Sequence, residues 1–264
     1  MRRTYMSHVK KILFLSTCIL SSTTALASNQ MVHWPQFYDA PWRPVITLGA
    51  GAGITSDLGT TNNFPIINPA TDEFYQYRPK NSTATVGMFD AFIGGECAIT
   101  DKWKLQTGIG YDVETAFNVS GILNQGADAQ SADNYNYSYQ IQSQQLMLLG
   151  KALYQIRDRY HPYVMLGLGA SFNNSYHFST GAPRQLTFTR DFNNHLNTAF
   201  TYSAGLGVDV DVAENMRVGL GYRFADFGQS NLGSSSINNV PVSGQISQSH
   251  LYVNQVLAEF TYIA

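Results

Sequence analysis

The sequence predicts an all-β fold, an eight-stranded antiparallel up-and-down β-barrel that spans a membrane. Three observations predict it. An export signal opens the chain, apolar and polar residues alternate with period two in eight later segments, and the connections between those segments are short and long in turn.

The first element reads as a cleavable signal peptide over residues 1–27. Arg2, Arg3, Lys10 and Lys11 form a positive n-region without an acid. Ile12–Leu20 is apolar but too short to cross a bilayer as a helix, and Ala25-Leu26-Ala27 is a small-x-small cleavage site. Cys18 lies inside the apolar run behind Thr17, so it does not read as a lipidated cysteine. Cleavage leaves Ser28–Ala264 with 12 Lys+Arg against 18 Asp+Glu, contrary to the basic face that nucleic acid requires. Cys97 is then the only cysteine, and no disulfide can form within the chain. No apolar 20-mer remains for a transmembrane helix, yet strands of about 10 alternating residues can cross a bilayer.

Residues 28–42, with Trp34, Pro35, Pro41 and Trp42, read as a periplasmic lead-in to a barrel over residues 43–264. This Trp/Pro cluster is either an interface anchor or a plug or partner contact.

The strands follow in order. In Pro44–Thr55, Ile46, Leu48, Ala50, Ala52 and Ile54 oppose Thr47, Gly49, Gly51 and Gly53. A noisier segment lies near 83–99. In Lys104–Phe117, Leu105, Thr107, Ile109, Tyr111, Val113 and Phe117 oppose Lys104, Gln106, Gly108, Gly110, Asp112 and Glu114. Another noisy segment lies near 139–156. In Pro162–Asn173, Val164, Leu166, Leu168, Ala170 and Phe172 oppose Gly167, Gly169, Ser171 and Asn173. Thr198–Val212 is the clearest, with Phe200, Tyr202, Ala204, Leu206, Val208, Val210 and Val212 opposing Thr201, Ser203, Gly205, Gly207, Asp209 and Asp211. After the short loop 213–215, Met216, Val218, Leu220, Tyr222 and Phe224 oppose Arg217, Gly219, Gly221, Arg223 and Ala225. The last segment lies near 248–263.

The two faces decide the kind of barrel. Acids, Arg, Lys and Gln on one face cannot form the dry core of a soluble barrel unless they are paired, so the aliphatic face is read as lipid-facing. Trp103, Tyr111, Tyr154, Tyr163, Tyr202, Phe224, Phe260 and Tyr262 lie near strand ends, where interfacial girdles stand. Connections 100–102, 157–161 and 213–215 read as periplasmic turns; 56–82, 120–138, 174–196 and 228–247 read as extracellular loops.

Hairpin register predicts lumen pairs. A turn centred on Glu214 sets Asp211 opposite Arg217 with Asp209 diagonal to it. One centred on Asp101 sets Glu96 opposite Gln106 and Asp90 opposite Asp112. Two facing acids need a cation, and Arg223 and Lys151 lie at similar depth. The expected network joins Asp90, Asp112, Arg223 and Lys151, with Glu96 and Glu259 nearby. It either fills a lumen that an eight-stranded barrel leaves just wide enough for side chains, or forms the constriction of a narrow pore.

The segment Val218–Gly228 (VGLGYRFADFG) resembles the penultimate strand of small opacity-type and outer-membrane-protein-A-like barrels, and Val164–Ser171 and Ala204–Asp209 are similar to those families too. The resemblance spans Arg43–Ala264. It implies the outer membrane of a Gram-negative bacterium, with roles as surface antigen, adhesin, envelope-stabilising protein or narrow pore, and supplies no catalytic residue. The larger members' peptidoglycan-binding domain has no counterpart after the last strand, so cell-wall tethering is not expected. Such barrels usually end in Phe, read by the assembly machinery. This one ends in Ala264, and Phe260 and Tyr262 are expected to carry that signal.

Three function classes follow. A surface structural, adhesion or antigen protein would use the four loops, where Tyr135, Tyr137, Tyr139, Phe64 and Phe178 read either as partner contacts or as an upper aromatic girdle. A narrow channel for ions or small solutes is the alternative. A third, an acyl hydrolase, would rest on His177-Phe178-Ser179, which lacks an orienting acid. His177 and His195 share a loop without acidic or Cys co-ligands. No catalytic residue, cofactor or metal is expected. The expected partners are outer-membrane lipid and lipopolysaccharide, the barrel-assembly machinery, and host or surface ligands at the loops.

Overall fold

A computed structural model describes residues 42–68, 71–126, 133–181, 191–237, 240–242 and 244–264. The signal segment and the lead-in, except Trp42, lie outside the described residues. The strands in chain order are β1 (Arg43–Ser56), β2 (Asn62–Asn68), β3 (Thr71–Pro79), β4 (Thr85–Ala98), β5 (Trp103–Glu114), β6 (Phe117–Gly126), β7 (Asp133–Tyr154), β8 (Tyr160–Thr180), β9 (Asp191–Phe192), β10 (His195–Ala213), β11 (Met216–Asp226), β12 (Ser230–Asn231), β13 (Ser235–Ile237), β14 (Val240–Val242), β15 (Ser247–Gln248) and β16 (Tyr252–Ile263).

Eight of them close an antiparallel ring in the order β1-β4-β5-β7-β8-β10-β11-β16 and back to β1. Closure matters physically. Hydrocarbon offers no hydrogen bonds, so every backbone group at membrane depth must find a neighbour within the protein, and a ring has no edge. The seam runs from Val45↔Ile263 to Ser56↔Tyr252. Beyond it, Ala264 N donates to Pro44 O at 2.9 Å and Arg43 Nε to Ala264 O at 3.2 Å, tying the first strand to the last residue.

Period-two alternation sorts the side chains. Leu48, Ile93, Leu148, Leu166, Phe200 and Leu220 point outward and are exposed, Leu148 by 70%. Such a continuous apolar surface is unfavourable in water and stable against lipid. The inward positions hold Thr47, Glu96, Gln106, Asp112, Lys151, Asp209, Arg217 and Arg223, all buried. Trp103 and Tyr154 stand side by side at the short-turn end, ring centroids 5.0 Å apart, as a girdle requires. Trp42 lies over Gly95, where an added Cβ would meet its ring at 2.7 Å.

At the other end the described parts of the long connections carry further β-strands, contrary to the expectation of polar loops. β2 and β3 form a hairpin inside connection 56–82, β3 pairs with β6, and β6 pairs with the first half of β7. β7 itself records where the surroundings change. Tyr139 and Ile141 point inward and are buried, whereas Leu146 and Leu148 point outward. The polar face is outside above this crossover and inside below it, because water surrounds the upper wall and lipid the lower.

The upper wall therefore needs a core, and it has one. Tyr77 is wholly buried and packs edge-on against Phe64, Tyr137, Phe178 and Phe192, with centroids 5.8, 5.2, 6.2 and 5.5 Å away. Leu58, Leu123, Ile141, Phe227, Leu232, Ile246 and Leu251 are among the other members of the cluster. This corrects both readings of the loop aromatics. Tyr137, Tyr139 and Phe64 are buried, and Tyr135 and Phe178 pack against them, so they form neither a girdle nor a contact surface. Two other expectations fail on phase. The break at Thr115-Ala116 turns Phe117 inward to this core, and Tyr163, expected in a girdle, lies on the inward face of β8, its hydroxyl in the space that Gly221 leaves open.

Candidate functional site

The lumen carries three ionic layers, built on the inward positions of β11. The sequence Arg217-Val-Gly-Leu-Gly-Tyr-Arg223 puts an arginine at each end and two glycines between. A side chain at Gly219 would run into Asp209, and one at Gly221 into the Tyr163 hydroxyl. The glycines thus make room for long groups from neighbouring strands.

The layer nearest the short turns is centred on Arg217. Its Nε donates to Asp211 Oδ1 at 2.7 Å, and its two terminal nitrogens pair with Glu96, one of them at 3.1 Å from Oε1. Gln106 Nε2 donates to Glu96 Oε2 at 2.8 Å, and His161 Nε2 lies 2.7 Å from Asp211 Oδ2. The register places Asp211 opposite Arg217 and Glu96 opposite Gln106.

Lys151 makes the second layer. Its ammonium lies 2.8 Å from Glu259 and 2.9 Å from Asp209, and 3.7 Å over the centre of the Tyr163 ring. Glu259 stands on β16, the strand diametrically across the ring from β7.

Arg223 makes the third. Its Nη2 is 3.1 Å from Asp112 Oδ2 on β5, again the opposite strand, and its Nε donates to Gln255 at 2.7 Å. Gln255 in turn donates to Glu114 at 2.7 Å. Asp90 lies opposite Asp112 and is seated over Gly49, but makes no ion pair among the described residues. Lys151 thus departs from the expected foursome to join Asp209 and Glu259. Glu114, Gln255, His161 and Tyr163 enter it unforeseen. Glu114 shares the phase of Asp112 and was findable on that ground. The space left beside Asp90, Lys151, Arg223 and Glu259 is about 30 Å³, room for roughly one water.

Above Arg223 the chain turns inward and lies against the inner faces of β8 and β10. Asp226 caps the Gly228 amide at 2.8 Å, Gly228 turns with φ +68°, and Phe227 is driven into the apolar core. Asn173 Nδ2 on β8 donates to the carbonyls of Phe227 and Gln229, both at 2.8 Å, holding the segment inside the ring. The Asp-Phe-Gly end of the motif is thus an inward turn.

His177 and Ser179 are not brought together. His177 Nδ1 is 3.2 Å from Gln140 Oε1, and Ser179 Oγ is 3.0 Å from Ser138 Oγ. No metal-ligating group of three is found among the described residues.

A closed ring with an apolar outside and a paired, polar inside defines a transmembrane β-barrel of the bacterial outer membrane. The family model for the outer membrane protein beta-barrel domain matches residues 104–243, over half of the chain, and the chain belongs to that family. Among solved structures it is similar to OprG of Pseudomonas aeruginosa, at 12% identity and TM-score 0.50 over 84% of this chain and 97% of that one. Neisserial surface protein A matches at 12% identity and TM-score 0.38, covering 83% and 96%. The outer membrane protease OmpT of Escherichia coli matches at 9% and 0.47, covering 86% and 97%. No curated protein matches.

Proposed function

We propose that this outer-membrane barrel is a non-conducting surface protein, structural, adhesive or antigenic, working through the β-structure at its cell-exterior end. The observation that carries the reading is the pairing of Arg223 with Asp112 across the full ring, directly beneath the inward turn at Phe227. A water path would have to pass an ion pair and then an apolar core, each costly to open. The reading includes no catalysis and no resident cofactor, and its lipid partner is the membrane around the outward belt.

Planar-bilayer conductance of the refolded chain tests it, with folding verified by a heat-dependent gel shift. A folded, silent barrel is expected. Steady single-channel steps that change with Arg223→Ala would establish the narrow channel instead.

A further inference from the structure

The outer face of the upper wall has an unusual composition. Along β7 the outward residues Asn134, Asn136, Ser138, Gln140, Gln142 and Gln144 are all amides or a hydroxyl, and the next two outward residues are Leu146 and Leu148. The polar face is therefore continuous with the lipid-facing belt, the interface the barrel already makes. With a rise of about 3.4 Å per residue and a tilt near 40°, Ser138 stands about 20 Å above the edge of that belt. Ordinary headgroups end about 5–8 Å from the hydrocarbon, so at that height only the extended saccharide of an outer-leaflet glycolipid is met.

A concave groove of about 460 Å³ opens at this level, lined by Lys80, Ser120, Asn136, Ser138 and Ser179. Ser138 and Ser179 are hydrogen-bonded side by side at 3.0 Å, and Asn81 Oδ1 accepts from the Ser120 amide at 2.8 Å, so the lining is held in place. Side-chain amides and hydroxyls both donate and accept, as sugar hydroxyls do. Lys80 and, beside the groove, Arg78 add positive charge in a chain that is acidic overall, and no carboxylate lines the groove. Plain solvation does not require this. A solvated wall ordinarily mixes both signs of charge.

We infer that this groove binds the phosphorylated saccharide headgroup of an outer-leaflet glycolipid, lipopolysaccharide in its chemical class. The amides and serines take the sugars, and Lys80 takes a phosphate. The inference rests on the placement of the barrel in the outer membrane and not on closure of the lumen, so it and the conductance test fail separately.

The test is binding of purified lipopolysaccharide to the refolded full chain, compared with phosphatidylglycerol vesicles, dephosphorylated lipopolysaccharide and the free polysaccharide. Asn136→Leu/Ser138→Leu/Ser179→Leu should weaken lipopolysaccharide binding by about tenfold or more, and Thr198→Leu, on the outward face of β10, should not. Lys80→Glu, an exposed single change that keeps the test open if the triple variant misfolds, should erase the advantage of the phosphorylated form. Equal binding by wild type and Lys80→Glu, or equal binding of phosphatidylglycerol vesicles, would overturn the assignment. Free polysaccharide binding as tightly as lipopolysaccharide would overturn the glycolipid source.

Discussion

Arg223 and Asp112 stand on opposite strands of the ring and meet across it at 3.1 Å, both almost fully buried. Glu114 is tied to the same arginine through Gln255. Removing the guanidinium therefore strands buried carboxylates without their cation. Arg223→Ala should destabilise the folded barrel by about 3–5 kcal/mol, read as a shift in the urea concentration that abolishes the compact gel form. Asp112→Asn should cost less. The double variant should cost less than the sum, because touching groups do not act independently. Additive effects would show that the pair contributes nothing as a pair.

The cross-strand pairs of the lumen were legible because hairpins joined by short turns have a register that symmetry about the turn supplies. Asp211↔Arg217 and Asp90↔Asp112 follow directly. The partner of Lys151 was not legible. A chord across the ring depends on how strands tilt and stagger around it, which period-two patterning within one strand does not encode. The upper wall was missed for a different reason. Tyr135, Tyr137 and Tyr139 alternate with Asn134, Asn136 and Ser138 as cleanly as any strand, but the apolar set faces inward there and outward below Gln144. Read with a single inside and outside, such a segment looks like a polar loop.

Tyr163 tests the role of the lumen glycines. Its hydroxyl occupies the position that a Cβ on Gly221 would need. Gly221→Ala should cost about 1–3 kcal/mol through overpacking and disturb the Lys151 ammonium lying over the Tyr163 ring. In a Tyr163→Phe background the same change should cost clearly less, since the hydroxyl is gone. Equal costs in both backgrounds, measured by urea unfolding, would show that Gly221 is small for some other reason.

The turn at Asp226-Phe227-Gly228 carries Phe227 into the apolar core of the upper wall. Gly228 adopts φ +68°, and an added Cβ would also meet Phe200 O at 2.6 Å. Gly228→Val should cost about 1–3 kcal/mol in backbone strain alone, and Phe227→Ala about 3–5 kcal/mol from the cavity it leaves. The loss should fall on the upper core. Protease added to intact cells should then cut the exterior segments faster, while the heat-dependent gel shift of the barrel persists. Neither variant should conduct, because the three ionic layers beneath remain. Steady conductance by Phe227→Ala alone would show that the ionic layers do not seal the lumen.

Phe260 and Tyr262 stand on the outward face of the last strand, 45% and 41% exposed, and Ala264 continues their phase. Neither packs inside the barrel, so Phe260→Ala/Tyr262→Ala should leave refolding in detergent nearly unchanged. If these rings are what the assembly machinery reads, the same variant should fall several-fold in the outer-membrane fraction of expressing cells and accumulate as unfolded, protease-sensitive chain. Ala264→Phe places an aromatic ring at the terminal position in the same phase and should restore much of the loss. Equal outer-membrane levels of wild type and double variant would move the recognition element elsewhere on β16, whose seam with β1 is the last pairing needed to close the ring.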